Sequence, residues 1–123
     1  MNTYVVMSRA APNRDLSRGS REQPFWEEHA TFIDALVADG LVLLGGPLVD
    51  EGGALLIVRA ENEAEVRAAL DPDPWYERGI LRLEGIMHWQ VFIDEWAKMA
   101  PSRAALTGDS SVRFPLTTPG SRQ

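Results

Sequence analysis

The sequence contains no cysteine among its 123 residues, and this absence excludes several kinds of site at once. Without cysteine there are no disulfides, no thiolate nucleophile and no zinc site of the cysteine type. The absence also fits a reducing compartment, so we expect a cytoplasmic protein. No secretory signal pattern opens the chain, and no apolar run approaches the roughly 20 residues that span a bilayer. We therefore expect no membrane partner.

Positive charge and histidine are also scarce. Acidic residues outnumber lysine and arginine by 18 to 12, and no basic stripe stands out, so nucleic acid is not an expected partner. His29 and His88 are the only histidines, far apart in sequence, whereas a metal site usually gathers three or four ligands. Motifs of the GxGxxG, phosphate-loop, GxSxG and HExxH types are missing. These absences predict no metal and no cofactor.

The composition itself is that of an ordinary globular protein, with 45% hydrophobic and 24% charged residues. A chain of this length suits one domain. We assign residues 1–96 to that domain and residues 97–123 to a C-terminal extension. The extension is rich in serine, threonine, glycine and proline, a composition typical of flexible tails. If it is ordered, we expect it to cross a partner subunit or to cover the mouth of a pocket.

Residues 21–47 organise the chain, because an amphipathic helix there turns directly into a buried strand. We predict the helix from Pro24 to about Ala38, with Gly40 as a left-handed cap. His29 falls on the apolar face of this helix, so its imidazole should point toward the layer on which the helix packs. The apolar residues that recur with helical spacing are Phe25, Phe32, Ile33, Leu36 and Val37.

Four apolar stretches are typical of strands, and one further segment is typical of a helix. The strands are predicted at residues 3–9, 41–45, 54–58 and 81–93. Asn62 followed by Glu65 resembles the capping pattern that opens a helix, which the prolines after residue 70 end. In the last strand, alternation places Leu81, Leu83, Met87 and Trp89 on one face and Arg82, Glu84 and His88 on the other.

The order strand, helix, strand, strand, helix, strand predicts the fold class. It is the ferredoxin-like βαββαβ arrangement, an α+β fold with two helices on a four-stranded antiparallel sheet. Three strands are apolar on both faces, although the chain has no further layer to cover the second face. We therefore expect a homodimer, with two sheets packed face to face as a dimeric α+β barrel.

Two further groups of residues leave two interpretations open. Four arginines lie in or beside the long loop at residues 10–23, and they are either solvated charges or an anion-binding rim over a pocket. Gly46 and Pro47 follow the second strand and either let a ligand approach the backbone or simply end the strand. The four arginines are Arg9, Arg14, Arg18 and Arg21.

Three segments together resemble the YCII-related (YciI-like) proteins. They are WEEHATFIDALVADGLVLLGGPL from Trp26, ALLIVRAENEAEV from Ala54, and Asp-Pro-Trp at residues 73–75. The resemblance covers roughly residues 3–93 in the family's order. It implies a ferredoxin-like dimeric α+β barrel and an active site with His29 and Asp73 as its polar pair. Members tied to chemistry include a dehydrochlorinase of chlorinated hydroxyhydroquinones.

A physical argument also favours a joint role for His29 and Asp73. A carboxylate bonded to one ring nitrogen fixes the tautomer and leaves the other nitrogen free to exchange a proton. We therefore expect His29 and Asp73 within hydrogen-bond reach of each other. Alternatively, His29 is a core residue and Asp73 is turn material. Trp26 and Trp75 flank the pair, either as packing or as a flat wall for a ring-shaped substrate.

Three functions remain open on these residues. The first is a cofactor-independent lyase or isomerase that uses His29 and Asp73 for acid–base chemistry on a small cyclic or aromatic substrate. The second is a cofactor-free monooxygenase of the wider dimeric-barrel group. The third is a non-catalytic dimeric protein that binds a small ligand. Candidate substrate-binding residues are Trp26, Trp75, Arg9, Gly46 and Pro47.

Overall fold

A four-stranded antiparallel sheet carries the fold in the computed structural model, which describes residues 1–96. The sheet order β2-β3-β1-β4 and its two covering helices form the predicted ferredoxin-like α+β arrangement, so the expected fold class is confirmed. The strands are β1 (Asn2–Ala10), β2 (Val42–Pro47), β3 (Ala54–Ala60) and β4 (Leu81–Trp89).

The helices cover one face of this sheet. They are α1 (Trp26–Ala38), α2 (Glu63–Leu70) and the single turn α3 (Pro74–Glu77). Alternate residues of the strands pack against them, and the resulting core contains Tyr4, Val6, Val42, Val58, Ala60, Val66 and Leu70. Within residues 1–96, no helix has the length and apolar character that crossing a membrane requires.

Helix α1 begins two residues later than predicted, because Phe25 is not helical. Its φ of 63° lies in the left-handed region, which is uncommon for a bulky residue. Pro24, expected in the first turn, precedes this irregular residue, and its carbonyl accepts a hydrogen bond from the indole of Trp75 at 2.8 Å. The predicted cap at the other end is confirmed, since Gly40 has a φ of 82°.

Strand β4 contains a bulge, and the side chains beyond it point to the opposite faces of the sheet from those that simple alternation predicts. Ser8 of β1 pairs with Leu83. The preceding residue, Met7, pairs with Gly85, so Glu84 is an extra residue in β4. An extra residue reverses the alternation of side chains beyond it.

The predicted common face of Leu81, Leu83, Met87 and Trp89 is therefore wrong. Leu81 and Leu83 pack into the clusters beneath the helices. Met87 and Trp89, beyond the bulge, are 51% and 43% exposed. The strand also ends at Trp89 instead of continuing to Ile93.

The sheet face opposite the helices carries a cluster of apolar side chains, and among the described residues no helix covers it. A shallow groove of about 390 Å³ there is lined by Val5, Leu55, Ile57, Met87, His88 and Trp89. Residues 1–90 form one unit, to which this surface belongs. The C-terminal extension at residues 97–123, and what was expected of it, lie outside the described residues.

Candidate active site

His29, in the first turn of α1, faces the short segment that leads into α3. Its Nδ1 lies 2.9 Å from each oxygen of the Asp73 carboxylate. Asp73 is the N-cap of α3, and its Oδ1 also accepts a hydrogen bond from the backbone N–H of Trp75 at 2.9 Å. Pro74 starts the helix with its fixed φ. The backbone of α3 therefore holds the carboxylate in place for the imidazole.

The contact assigns the imidazole tautomer. A carboxylate only accepts hydrogen bonds, so Nδ1 carries the proton and a neutral ring presents its lone pair at Nε2. Within residues 1–96, Nε2 has no hydrogen-bond partner, and it is not among the buried nitrogens. The side chain of His29 is 14% exposed and that of Asp73 only 4%. The buried Asp73 therefore positions the ring through Nδ1, and the accessible Nε2 can exchange a proton.

Trp75 fixes the plane of the imidazole. The two rings stack with centroids 3.8 Å apart and an angle of 6° between their planes. Trp75 is 3% exposed, so its area is used for packing and not as an open wall. Trp26 lies 5.8 Å from His29 at a tilt of 47° and is only half-buried. Of the two indoles, Trp26 is therefore the one placed to contact a ring-shaped ligand.

The long loop before α1 is ordered around one buried glutamine. Gln23 is 3% exposed, and its amide nitrogen donates to the carbonyls of Asp15 at 2.7 Å and Arg18 at 3.0 Å. Its amide oxygen accepts from the N–H of Asp15 at 2.9 Å. The loop is tied to the turn after α3, where the N–H of Asn13 donates to the carbonyl of Gly79 at 2.8 Å.

A sequence model of the YCII-related domain matches residues 2–90. The chain belongs to the YCII-related family. The resemblance that the three sequence segments indicated is thereby confirmed.

One solved structure that is similar to this chain is that of 5-chloro-2-hydroxyhydroquinone dehydrochlorinase (TftG) from Burkholderia phenoliruptrix AC1100, in complex with 2,5-dihydroxybenzoquinone. The two share 20% sequence identity, with a TM-score of 0.51 over 76% of this chain and 97% of that one. At this identity the likeness establishes a common fold. No curated protein matched the chain.

The loop arginines of the YCII-related protein separate into different environments. Arg9 forms ion pairs with Glu84 at 2.8 Å and Glu51 at 3.5 Å, and the hydrogen bond to Glu84 raises the pKa of Arg9. Its neighbour in β1, Ser8, points to the helix side, so alternation directs Arg9 to the opposite face. Within the chain the sheet therefore separates Arg9 from His29.

Gly46 and Pro47 end the edge strand β2 of the YCII-related protein, paired with Leu55 and Ala54. A side-chain carbon at position 46 would meet no atom within 4 Å, so packing does not require glycine there. At Gly45 such a carbon would collide with a neighbouring leucine side chain of β3. Close contact with β3 therefore favours glycine at position 45, and the space beside Gly46 remains compatible with a ligand.

Sequence reasoning missed a buried hydroxyl pair beside Asp73. The Tyr76 Oη and the Ser8 Oγ are 2.8 Å apart, and Ser8 is 4% exposed. Burial raises the pKa of Tyr76, and the nearby carboxylate of Asp73 acts in the same direction, while the hydrogen bond with Ser8 opposes it. The available signal was a serine at an inward position of β1, where alternation predicts an apolar side chain.

The burial of Tyr76 in this hydroxyl pair predicts that the free energy of unfolding falls at alkaline pH. An ordinary tyrosine ionises near a pH of about 10. Because the folded pKa of Tyr76 is raised, the unfolded chain loses this proton at a lower pH than the folded protein. The contribution of Tyr76 to the free energy of unfolding is complete below the unfolded pKa and is lost as the pH rises through the folded pKa. Urea unfolding of Tyr76→Phe should show a shallower alkaline decline than wild type; equal slopes would contradict the prediction.

Metal ligands are not gathered at the site. Among residues 1–96, no group of three or more histidine, aspartate or glutamate side chains is placed to hold a metal ion. The described site therefore consists of His29, Asp73 and Trp75, with Trp26 at its edge.

Proposed function

We propose that this YCII-related protein is a cofactor-independent enzyme that uses His29 as the acid–base group on a small ring-shaped substrate. Asp73 would position the imidazole and stabilise its protonated form. The observation that carries the proposal is the contact of Nδ1 with both Asp73 oxygens at 2.9 Å, which leaves Nε2 accessible. A histidine that served only in packing would have no need of an accessible nitrogen.

Elimination is the reaction that these residues support best. A base takes a proton from the substrate, and the leaving group departs with the bonding electron pair, so no external oxidant or reductant is required. A neutral imidazole with a free Nε2 supplies the base, and the resulting imidazolium is paired with Asp73. Isomerisation and dehydration use the same proton transfer. The similar solved structure is that of a dehydrochlorinase, and this supports the choice of elimination.

The test uses 5-chloro-2-hydroxyhydroquinone as the probe, without added cofactor. Chloride release is measured under argon with a blank that contains no protein, because hydroquinones oxidise in air. We expect protein-dependent chloride release that does not need oxygen. Turnover that occurs only with oxygen uptake would instead support the monooxygenase alternative, and saturable binding without turnover would support the binding protein.

We further propose that the protein is a homodimer through the open sheet face. Val5, Leu55 and Ile57 belong to this face, whereas Val6 is buried beneath the helices. Met87 and Trp89 add large exposed apolar area. A contiguous apolar surface of this kind is typical of an interaction site, and a closed two-fold pair of sheets would cover it.

Light scattering at micromolar concentration tests the dimer. We expect twice the chain mass of 13.6 kDa. Ile57→Glu would place a charge in the proposed interface and should shift the protein toward the monomer. Ala68→Glu, on the exposed side of α2, is the matched control and should remain dimeric. A monomeric wild-type protein would defeat the proposal.

A further inference from the structure

Two arginines of the loop carry buried nitrogens that nothing in the described part of the chain satisfies. Arg14 Nε and Arg21 Nη2 are buried and lack hydrogen-bond acceptors. No carboxylate within residues 1–96 forms an ion pair with either side chain. Arg18, between them in sequence, pairs with Asp15 at 3.2 Å. The loop therefore neutralises one of these charges and leaves two without a carboxylate partner in the described part of the chain.

The Arg14 side chain lies beside Trp75, the residue on which the His29 ring stacks. Its guanidinium carbon lies 5.9 Å from the centre of the Trp75 ring, and Trp75 stacks on His29 at 3.8 Å. Its Nη2 donates a hydrogen bond to the hydroxyl of the buried Ser20 at 3.3 Å. The side chain of Gln23 orders the surrounding loop, so the fold itself holds the Arg14 side chain in this position. Burial lowers the pKa of Arg14, and no neighbouring carboxylate opposes that effect.

We propose that Arg14 binds an ionised oxygen of the substrate beside His29. A guanidinium recognises a carboxylate or phenolate oxygen through charge-assisted hydrogen bonds. Arg14 Nη1 forms no hydrogen bond within residues 1–96 and is not among the buried nitrogens, so it is the donor available to an anion. Because Trp75 contacts both Arg14 and His29, the guanidinium carbon and the centre of the imidazole are no farther apart than the sum of those two distances, 5.9 Å and 3.8 Å. A substituted six-membered ring is long enough to bridge that separation. The inference rests on the proposed function and narrows its substrates to ring compounds that carry a phenolate or carboxylate.

Calorimetric titration of the full-length protein with three probes tests this subsite. The anionic probes are 2,5-dihydroxybenzoquinone, which is acidic enough to be ionised at neutral pH, and 2,5-dihydroxybenzoate, which carries a carboxylate. Hydroquinone is the uncharged probe of similar shape. Arg14→Gln removes the charge that is proposed to bind the anion. Arg18→Gln removes the paired charge of the same loop and serves as the matched control.

Wild-type protein should prefer both anionic probes to hydroquinone. Arg14→Gln is expected to raise the Kd of the anionic probes by about 10- to 100-fold, the usual effect of losing a charge-assisted hydrogen bond. The Kd of hydroquinone should change by no more than about two-fold. A preference for only one of the two anions would identify the phenolate or the carboxylate as the recognised group.

Thermal unfolding separates binding from a structural role. Arg14→Gln loses the Ser20 hydrogen bond and the Trp75 contact but no ion pair, so its Tm should fall only slightly. An arginine with a purely structural role would lower the Tm without changing the preference for anionic probes. If the glutamine variant does not fold, Arg14→Lys keeps the charge without the planar fork and should show a smaller loss of anion binding.

The inference is overturned if wild type binds none of the probes, if it shows no preference for anions, or if Arg14→Gln weakens anionic and neutral probes equally. Dissociation of the dimer by Arg14→Gln without a change in anion preference would also overturn it, because a partner carboxylate would then be the acceptor. Binding is measured without turnover. Anion selectivity that depends on Arg14 in a protein without turnover would therefore sustain this inference while rejecting the proposed function.

Discussion

Replacement of His29 by alanine is expected to lower turnover by about 10²- to 10⁴-fold, the range for loss of a general acid–base group. The physical reason is that Nε2 is the accessible nitrogen of a ring whose Nδ1 is held by Asp73 at 2.9 Å. The side chain is partly exposed, so the variant should keep its fold and its oligomeric state. Steady-state kinetics of chloride release, with circular dichroism and light scattering on the same samples, measure the effect.

His88→Ala is the matched control, since it removes the other histidine, which is exposed on β4 and contacts Tyr4 with ring centroids 5.2 Å apart. It should leave turnover near the wild-type value. Asp73→Asn should lose less than His29→Ala, because an amide oxygen can still accept from Nδ1 and from the N–H of Trp75. Full activity in a folded His29→Ala protein would reject the acid–base mechanism.

Truncation of Trp75 to alanine is expected to lower the free energy of unfolding by about 3–5 kcal/mol, as for other large aromatic residues in a core. Trp75 is 3% exposed, and it forms a cluster with Ile80 and Leu81. The change removes the stack on His29 and the 2.8 Å hydrogen bond from the indole to the carbonyl of Pro24. Urea unfolding at one fixed protein concentration measures the loss, since a dimer's stability depends on concentration.

Two variants make the result specific to this site. Trp75→Phe keeps an aromatic ring against His29 and loses the indole hydrogen bond, so its cost should be much smaller, about 1 kcal/mol for the bond plus a packing contribution. Trp96→Ala truncates a tryptophan that is 63% exposed and should be nearly neutral. Equal losses for Trp75→Ala and Trp96→Ala would show that Trp75 does not hold this part of the fold together.

The local signals in the sequence identified most of the helices and strands. The helical spacing of α1 and the left-handed glycine at position 40 depend on neighbours in the chain. The start of α2 is similar, since Asn62 caps it by accepting from the N–H of Glu65 at 2.8 Å. The element order then determined the fold class, because a βαββαβ chain has few compact arrangements. The contact of His29 with Asp73 followed from that topology together with the family resemblance.

Features that depend on long-range contacts were decided only by the tertiary structure. The bulge at Glu84 arises from the pairing of β4 with β1, and it reverses which face Met87 and Trp89 occupy. The left-handed Phe25 follows a residue whose carbonyl is engaged by the distant Trp75.

The arginines in and beside the loop show the same difference between what the sequence determines and what the tertiary structure decides. The sequence presents Arg9, Arg14, Arg18 and Arg21 as equivalent cations, because charge is a property of the residue. Only the fold provides Glu84 for Arg9 and places Arg14 over Trp75 without a carboxylate partner. Pairing requires two groups to meet within a few ångströms, and residues far apart in the chain meet only where tertiary packing brings them together.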